Sequence, residues 1–171
     1  MPDSVFDIVQ EVKTALPEVN LGIHCHNDSG VAVANSLAAI AAGARQVQGT
    51  INGIGERCGN ADLISLIPTL VLKSDYVTSV SEENLPRLMG LSRLLDERLG
   101  RTPNAHAPYV GAAAFAHKGG LHASAAQKDP RTYEHIAPEK VGNERQYLVS
   151  DQAGRSNMLA RFAMLGIEVD A

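Results

Sequence analysis

Two histidines, His24 and His26, stand two apart in the run Leu21-Gly-Ile-His-Cys-His-Asn-Asp-Ser-Gly30. The run reads as the end of a buried strand, where alternate side chains share a face. Both imidazoles therefore point the same way, and Cys25 points the other. Two neutral imidazole nitrogens at the C-terminal edge of a strand are the beginning of a metal site. The plainer alternative is a pair of histidines packed and hydrogen-bonded at a strand end. The downstream segment favours the metal. The glycine-rich loop Asn52-Gly-Ile-Gly-Glu-Arg-Cys-Gly-Asn60 comes after the next strand, on the same edge, and Asn60 adds an amide oxygen. Mixed nitrogen and oxygen ligation with open positions suits Mn²⁺, Zn²⁺, Co²⁺ or Mg²⁺ rather than a structural thiolate zinc. Asp28 and Glu56 are further oxygen candidates, each equally a helix cap or an ion-pair partner. The loop contains Gly-x-Gly but no nucleotide-binding fingerprint, so its glycines mean tight turns. Arg57 suits a phosphate or carboxylate ligand or, more simply, a structural ion pair.

The elements that must position these residues are set out by periodicity. Val5, Ile8, Val9, Val12 and Leu16 recur at helical spacing, Ser4 to Asp7 resembles a capping box, and Pro17 stops the helix. Residues 21–26 form the first strand. Asn27, Asp28 and Ser29 offer cap side chains to an alanine-rich helix over 31–42, closed by Gly43. Residues 46–50 read as a second strand, and a helix over 61–73 carries Pro68 as a kink. Helix, strand, helix, strand, helix with short joints implies parallel strands and right-handed crossovers. Beyond Ser74 the pattern changes. A long amphipathic helix spans 82–99 with Gly100 as its stop, 101–108 is a linker, 112–127 is partly helical, 144–150 is a short strand and 155–165 a final helix.

The chain has 171 residues, 44% of them apolar, so a real core is available. A formal charge of −4 offers no basic stripe, which argues against a nucleic-acid partner. Two cysteines without paired spacing, Cys25 and Cys58, fit a reducing compartment. No apolar run reaches about 18 residues and no signal peptide opens the sequence, so no membrane partner and a cytoplasmic location are expected. Two parallel strands cannot bury both faces of a sheet, and a closed (β/α)8 barrel takes roughly 250 residues. The expected fold is therefore α/β: the C-terminal part of a TIM-type barrel, about two βα units over residues 1–75, then a mostly helical linker and subdomain over 76–171. A small open α/β domain completed by pairing between chains is the alternative.

Longer motifs narrow this further. His24-Cys-His-Asn-Asp-Ser-Gly-Val-Ala-Val-Ala-Asn-Ser36 and Gly49-Thr-Ile-Asn-Gly-Ile-Gly-Glu-Arg-Cys-Gly-Asn-Ala61 resemble the 2-isopropylmalate, homocitrate and citramalate synthase family. So do Ala114-Phe-Ala-His-Lys-Gly-Gly-Leu-His122 and Asp129-Pro-Arg-Thr-Tyr-Glu-His-Ile136. Val141-Gly-Asn-Glu-Arg145 and Val149-Ser-Asp-Gln-Ala-Gly-Arg-Ser-Asn157 look most like the citramalate synthase branch. The resemblance implies a metal-dependent barrel with a helical subdomain, working as a homodimer. It implies that His24, His26 and Asn60 hold a divalent metal. The family's remaining ligand is an Asp in an Arg-Asp-Gly motif on the first barrel strand, and no such motif stands in this chain. The 171 residues alone are therefore expected to be inactive.

The implied reaction is a Claisen condensation of acetyl-CoA with a 2-oxo acid, pyruvate for the citramalate branch. The metal chelates the carboxylate and keto oxygen of the 2-oxo acid and stabilises the alkoxide that forms. A base removes a methyl proton from acetyl-CoA, the enolate attacks, and water cleaves the thioester. His122 and Tyr133 match the family's subdomain residues that reach into the partner chain's active site, where imidazole suits proton transfer and a phenol suits donation to an oxyanion. His117 and His135 read as packed or capping histidines, and His106 as solvated. Two other readings compete. A metal-dependent hydrolase on a similar barrel would want further His and Asp ligands, which this segment does not offer. A non-catalytic dimerisation and linker module would bind no metal.

Overall fold

The computed structural model describes residues 1–118 and 120–148, together with 158–159, 162–163 and 165–167. It divides into two compact units, Met1–Ser81 with Leu91–Gly100, and Glu82–Gly90 with Arg101–Ala171.

In the first unit α1 (Pro2–Ala15) precedes β1 (Gly22–His24), α2 (Ala32–Ala41), β2 (Gln46–Gln48) and α3 (Leu63–Lys73). The two strands are parallel, with Gly22 opposite Gln46, Ile23 opposite Val47 and His24 opposite Gln48. The helix α1 starts before the expected capping box, with Met1 as its cap. Proline is pre-organised for a first helical turn, where its missing N–H is not needed, so Pro2 nucleates the helix three residues earlier. Asn27 Oδ1 accepts from Ala32 N at 3.1 Å at the start of α2, and Asp62 Oδ1 accepts from Ile64 N at 2.9 Å at the start of α3.

Both strands are shorter than their sequence patterns, and the exposed residues of β1 are Gly22 and His24, not buried ones. The reason is that two strands leave one sheet face uncovered. Gly22, His24, Gln46 and Gln48 share that face, while Ile23 packs with buried Cys25, Ala32 and Ala61 on the other. Ile64, Leu66 and Pro68 of α3 are fully buried.

The helix expected over 82–99 divides. Glu82–Arg87 winds as a 3-10 turn and α4 (Leu88–Arg98) follows, because Pro86 has no N–H for an α-helical bond. Gly100 ends α4 with φ +62°. In the second unit β3 (Ala116–His117) lies parallel to β4 (Gln146–Tyr147), with His117 opposite Tyr147. The helix α5 (Gly120–Lys128) is followed by 3-10 turns at Pro130–Thr132 and Pro138–Val141. The stretch 112–127 is partly helical, as expected, with turns and β3 preceding α5. Of the final helix expected over 155–165, residues 158–159 and 162–163 are helical, and the others apart from Leu165 lie outside the described residues, as does the motif 149–157. Among the described residues no helix is long and apolar enough to cross a membrane.

Candidate active site

The backbone after β1 is stitched to the end of the glycine-rich loop. Ala61 N donates to Cys25 O at 2.9 Å and Asn27 N donates to Gly59 O at 2.8 Å, which makes His26 and Asn60 antiparallel partners. On the other side Thr50 N donates to Ala61 O at 3.0 Å and Leu63 N to Thr50 O at 3.0 Å. Residues 60–62 therefore fill the gap between the extensions of β1 and β2. That insertion carries Asn60, 34 positions after His26, to its side. The rings of His24 and His26 meet edge to face with centroids 5.1 Å apart.

The loop can close this tightly only because of its glycines. Gly59 has φ +87°, and a Cβ there would stand 1.9 Å from Gly53 O. At Gly55 a Cβ would stand 2.3 Å from Asn60 Nδ2. The Asn60 carboxamide is thus wedged against bare backbone, with Nδ2 donating to Ile54 O at 3.0 Å. The base of the loop is held by Asn52, whose Nδ2 donates to Ser92 O at 2.9 Å while its Oδ1 accepts from Ser92 Oγ at 2.7 Å.

The chemistry of the donor set is legible in what its atoms lack. Among the described residues three side-chain atoms are buried without a hydrogen-bond partner, Asn35 Oδ1 on α2 and, on the bridge partners His26 and Asn60, His26 Nδ1 and Asn60 Oδ1. Buried polar atoms are nearly always paired, so two orphans on neighbouring side chains call for a ligand that satisfies both. An imidazole nitrogen and an amide oxygen, beside a second imidazole, fit a divalent cation. No group of three or more His, Cys, Asp or Glu side chains gathers among the described residues, so no carboxylate joins this set. Asp28 is engaged elsewhere, accepting from Arg57 Nε at 2.7 Å and Nη2 at 2.9 Å. That bond holds the Asp28 carboxyl below its ordinary range and the Arg57 guanidinium above its own. Arg57 is a surface ion-pair partner, and Glu56 lies 3.9 Å from it.

The second unit brings together the other two expected residues. His122, on α5, and Tyr133, after the 3-10 turn, lie with ring centroids 4.4 Å apart and planes inclined by 31°. Both are exposed. Beneath them lies a network that sequence reasoning missed. His117 Nε2 is 3.0 Å from Glu134 Oε1, and Arg145 donates to Glu134 Oε1 at 2.5 Å and to Oε2 at 2.6 Å. Burial alone would raise the Glu134 carboxyl, but the bonds from Arg145 and His117 outweigh it and hold it below the ordinary range. No periodicity marks Glu134 or Arg145; their one signal is a charged residue within an otherwise recognisable motif. His135 stacks on Phe115 at 6.0 Å, and His106 is exposed, as packing and solvation predict.

Residues 1–94 match the family model described as HMGL-like, and residues 109–171 match one described as homocitrate synthase post-HMGL domain-like. The chain belongs to the HMGL-like family. It is 53% identical over 177 residues to an (R)-citramalate synthase of Synechocystis sp., covering 99% of this chain and 32% of that protein. It is 52% identical to an (R)-citramalate synthase of Aquifex aeolicus, with 99% and 32% covered, and 42% identical to a probable 2-isopropylmalate synthase of Methanopyrus kandleri, with 98% and 33% covered. The chain spans about a third of the length of the curated relatives it matches. A solved HMG-CoA lyase from Acenitobacter baumannii, in complex with coenzyme A and 3-methylmalate, matches with a TM-score of 0.51 at 30% identity, covering 61% of this chain and 35% of that one. The fold is that of part of an HMGL-like α/β barrel followed by a helical part.

Proposed function

We propose that the protein carrying this chain condenses acetyl-CoA with a 2-oxo acid, pyruvate above all, to give citramalate. The observation that carries the proposal is the pair of buried, unpartnered ligand atoms, His26 Nδ1 and Asn60 Oδ1, beside His24. The high identity to (R)-citramalate synthases supports the choice of substrate. His24, His26 and Asn60 would hold a divalent ion, Mn²⁺, Zn²⁺, Co²⁺ or Mg²⁺. Such an ion supplies Lewis acidity that polarises the keto group of the 2-oxo acid.

His122 takes a proton from the methyl group of acetyl-CoA, a transfer for which an exposed imidazole is matched at neutral pH. The carbon so freed attacks the keto carbon of the 2-oxo acid. The phenol of Tyr133 donates its hydrogen bond to the oxygen that gains charge in that step. Water then cleaves the thioester and releases CoA. Residues 1–75 form the C-terminal part of the catalytic barrel, and residues 76–171 a helical linker and subdomain that makes the contacts of a homodimer. In that dimer His122 and Tyr133 serve the partner's substrates. The working protein is cytoplasmic.

The test is release of CoA thiol by the full-length protein from acetyl-CoA offered with pyruvate, 2-oxoisovalerate or 2-oxoglutarate. Pyruvate should be fastest, a chelator should stop the release, and added Mn²⁺ or Zn²⁺ should restore it. No release with any 2-oxo acid overturns the proposal, and preference for another acid moves it to a different branch.

A further inference from the structure

Tyr133 is 45% exposed, yet it is flanked by Glu134, a carboxylate that is buried and paired with three nitrogens. The Glu134 side chain is 3% exposed and engages three nitrogens: Arg145 Nε, Arg145 Nη2 and His117 Nε2. Paired with a guanidinium, Glu134 is ionised and can only accept, so His117 Nε2 must be the donor. That fixes the tautomer and the plane of the His117 ring. The ring in turn stands edge-on to Tyr133, with centroids 6.4 Å apart, and tilted against Tyr147 at 5.9 Å. Backbone bonds tie the same carboxylate to the turn below Tyr133, since Tyr133 N and Glu134 N both donate to Pro130 O, at 3.1 and 2.9 Å.

We propose that Glu134 is a positioning residue: through His117 and the 3-10 turn it holds Tyr133 in register with His122. This rests on the role given to Tyr133 above. Arg145 anchors the carboxylate from the start of β4, and His117 comes from β3, so the network also ties the two-residue strand pair to the Tyr133 turn. A buried carboxylate with only one partner would be a liability; with three donors it is a rigid strut.

A double-mutant cycle in the full-length protein tests this. Glu134→Gln keeps the shape and removes the charge, and should lower kcat about 100-fold, the scale of loss that a small misplacement of a reacting group brings. KM for both substrates should stay within about twofold, since ground-state binding is not what the strut supplies. In a Tyr133→Phe background the same change should cost almost nothing further, because both act through one hydroxyl. His117→Phe, which keeps a ring but not the bond, should lower kcat less and be equally silent in that background, and it serves if Glu134→Gln does not fold. Losses that multiply in the double variant, or an unchanged kcat, overturn the role of Glu134 and leave the condensation standing. Wild-type protein that releases no CoA overturns both. Histidine-selective ¹⁵N NMR adds a readout without turnover: His117 should be protonated at Nε2 in the wild type and lose that fixed state in Glu134→Gln.

Discussion

The two histidine clusters of this chain are opposites. In the first unit His26 and Asn60 are brought side by side and left with buried atoms that nothing among the described residues satisfies. In the second unit His117 and Glu134 are also buried, but every bond that Glu134 needs comes from within. Burying polar atoms without partners costs stability, and a fold keeps such a place when a ligand repays it. A saturated network gives rigidity instead. The contrast separates a place built to receive something from a place built to hold something still, and it does so without reference to residue type, since both contain histidine.

The largest effect should come from exchanging the two kinds of loss. His26→Ala or Asn60→Ala should cut the affinity for Mn²⁺ or Zn²⁺ by more than about 100-fold, beyond the 10- to 100-fold that changes in outer-shell partners bring. His122→Ala should lower kcat by about 100-fold, as loss of a proton-transfer group does, while leaving the metal content intact. Calorimetric metal titration beside a thiol-release assay reads both, and loss of metal on removing His122 would reverse the assignment.

A subtler change should disturb the first cluster without replacing His24, His26 or Asn60. In Gly55→Ala the new Cβ would meet Asn60 Nδ2 at 2.3 Å, at a backbone φ of +156° that favours glycine. The carboxamide must then turn away from Ile54 O. Metal affinity should fall by about 10-fold, with a drop in stability on the order of 1 kcal/mol for the strained residue and lost bond. Unchanged metal binding in this variant would mean that the Asn60 oxygen is not a ligand.

The smallest effect distinguishes the two units by pH. Glu134 sits below its ordinary value, so its stabilisation is complete above the ordinary glutamate range and is lost as pH falls through the lowered value. Asp62, in the first unit, is raised because burial outweighs its bonds from the α3 backbone and Ser65. Its sign is reversed: the folded state keeps the proton longer, and stability declines as pH rises from the ordinary aspartate range through the raised value. Thermal melts from neutral down to about pH 3 should show a weaker acid-side loss for Glu134→Gln, and removal of the opposite slope for Asp62→Asn, which still caps α3. Parallel curves for both variants and the wild type would remove the distinction.

How much of this was legible differs by element. The pairing of His24 with His26 was visible because alternation along a strand is a rule of two residues. Asn60 was visible because loops after parallel strands share an edge. The 3-10 turn at Glu82–Arg87 is dictated by Pro86 but was hidden under an unbroken apolar period. The strand β4 falls within the short strand expected over 144–150, whereas its partner β3 was missed because two residues are too few to show alternation, and Glu134 because its partners come from 17 positions before it and 11 after.

Local rules therefore determined, from the amino-acid order alone, which side chains are chemically armed and which face of the first strand they occupy. Backbone geometry repeats over two to four residues, and so its consequences can be read over the same distance. Only the tertiary structure decided which armed atoms are left unsatisfied and which are locked. That depends on what the rest of the chain buries around them, and burial is set by packing between segments that no short-range pattern connects.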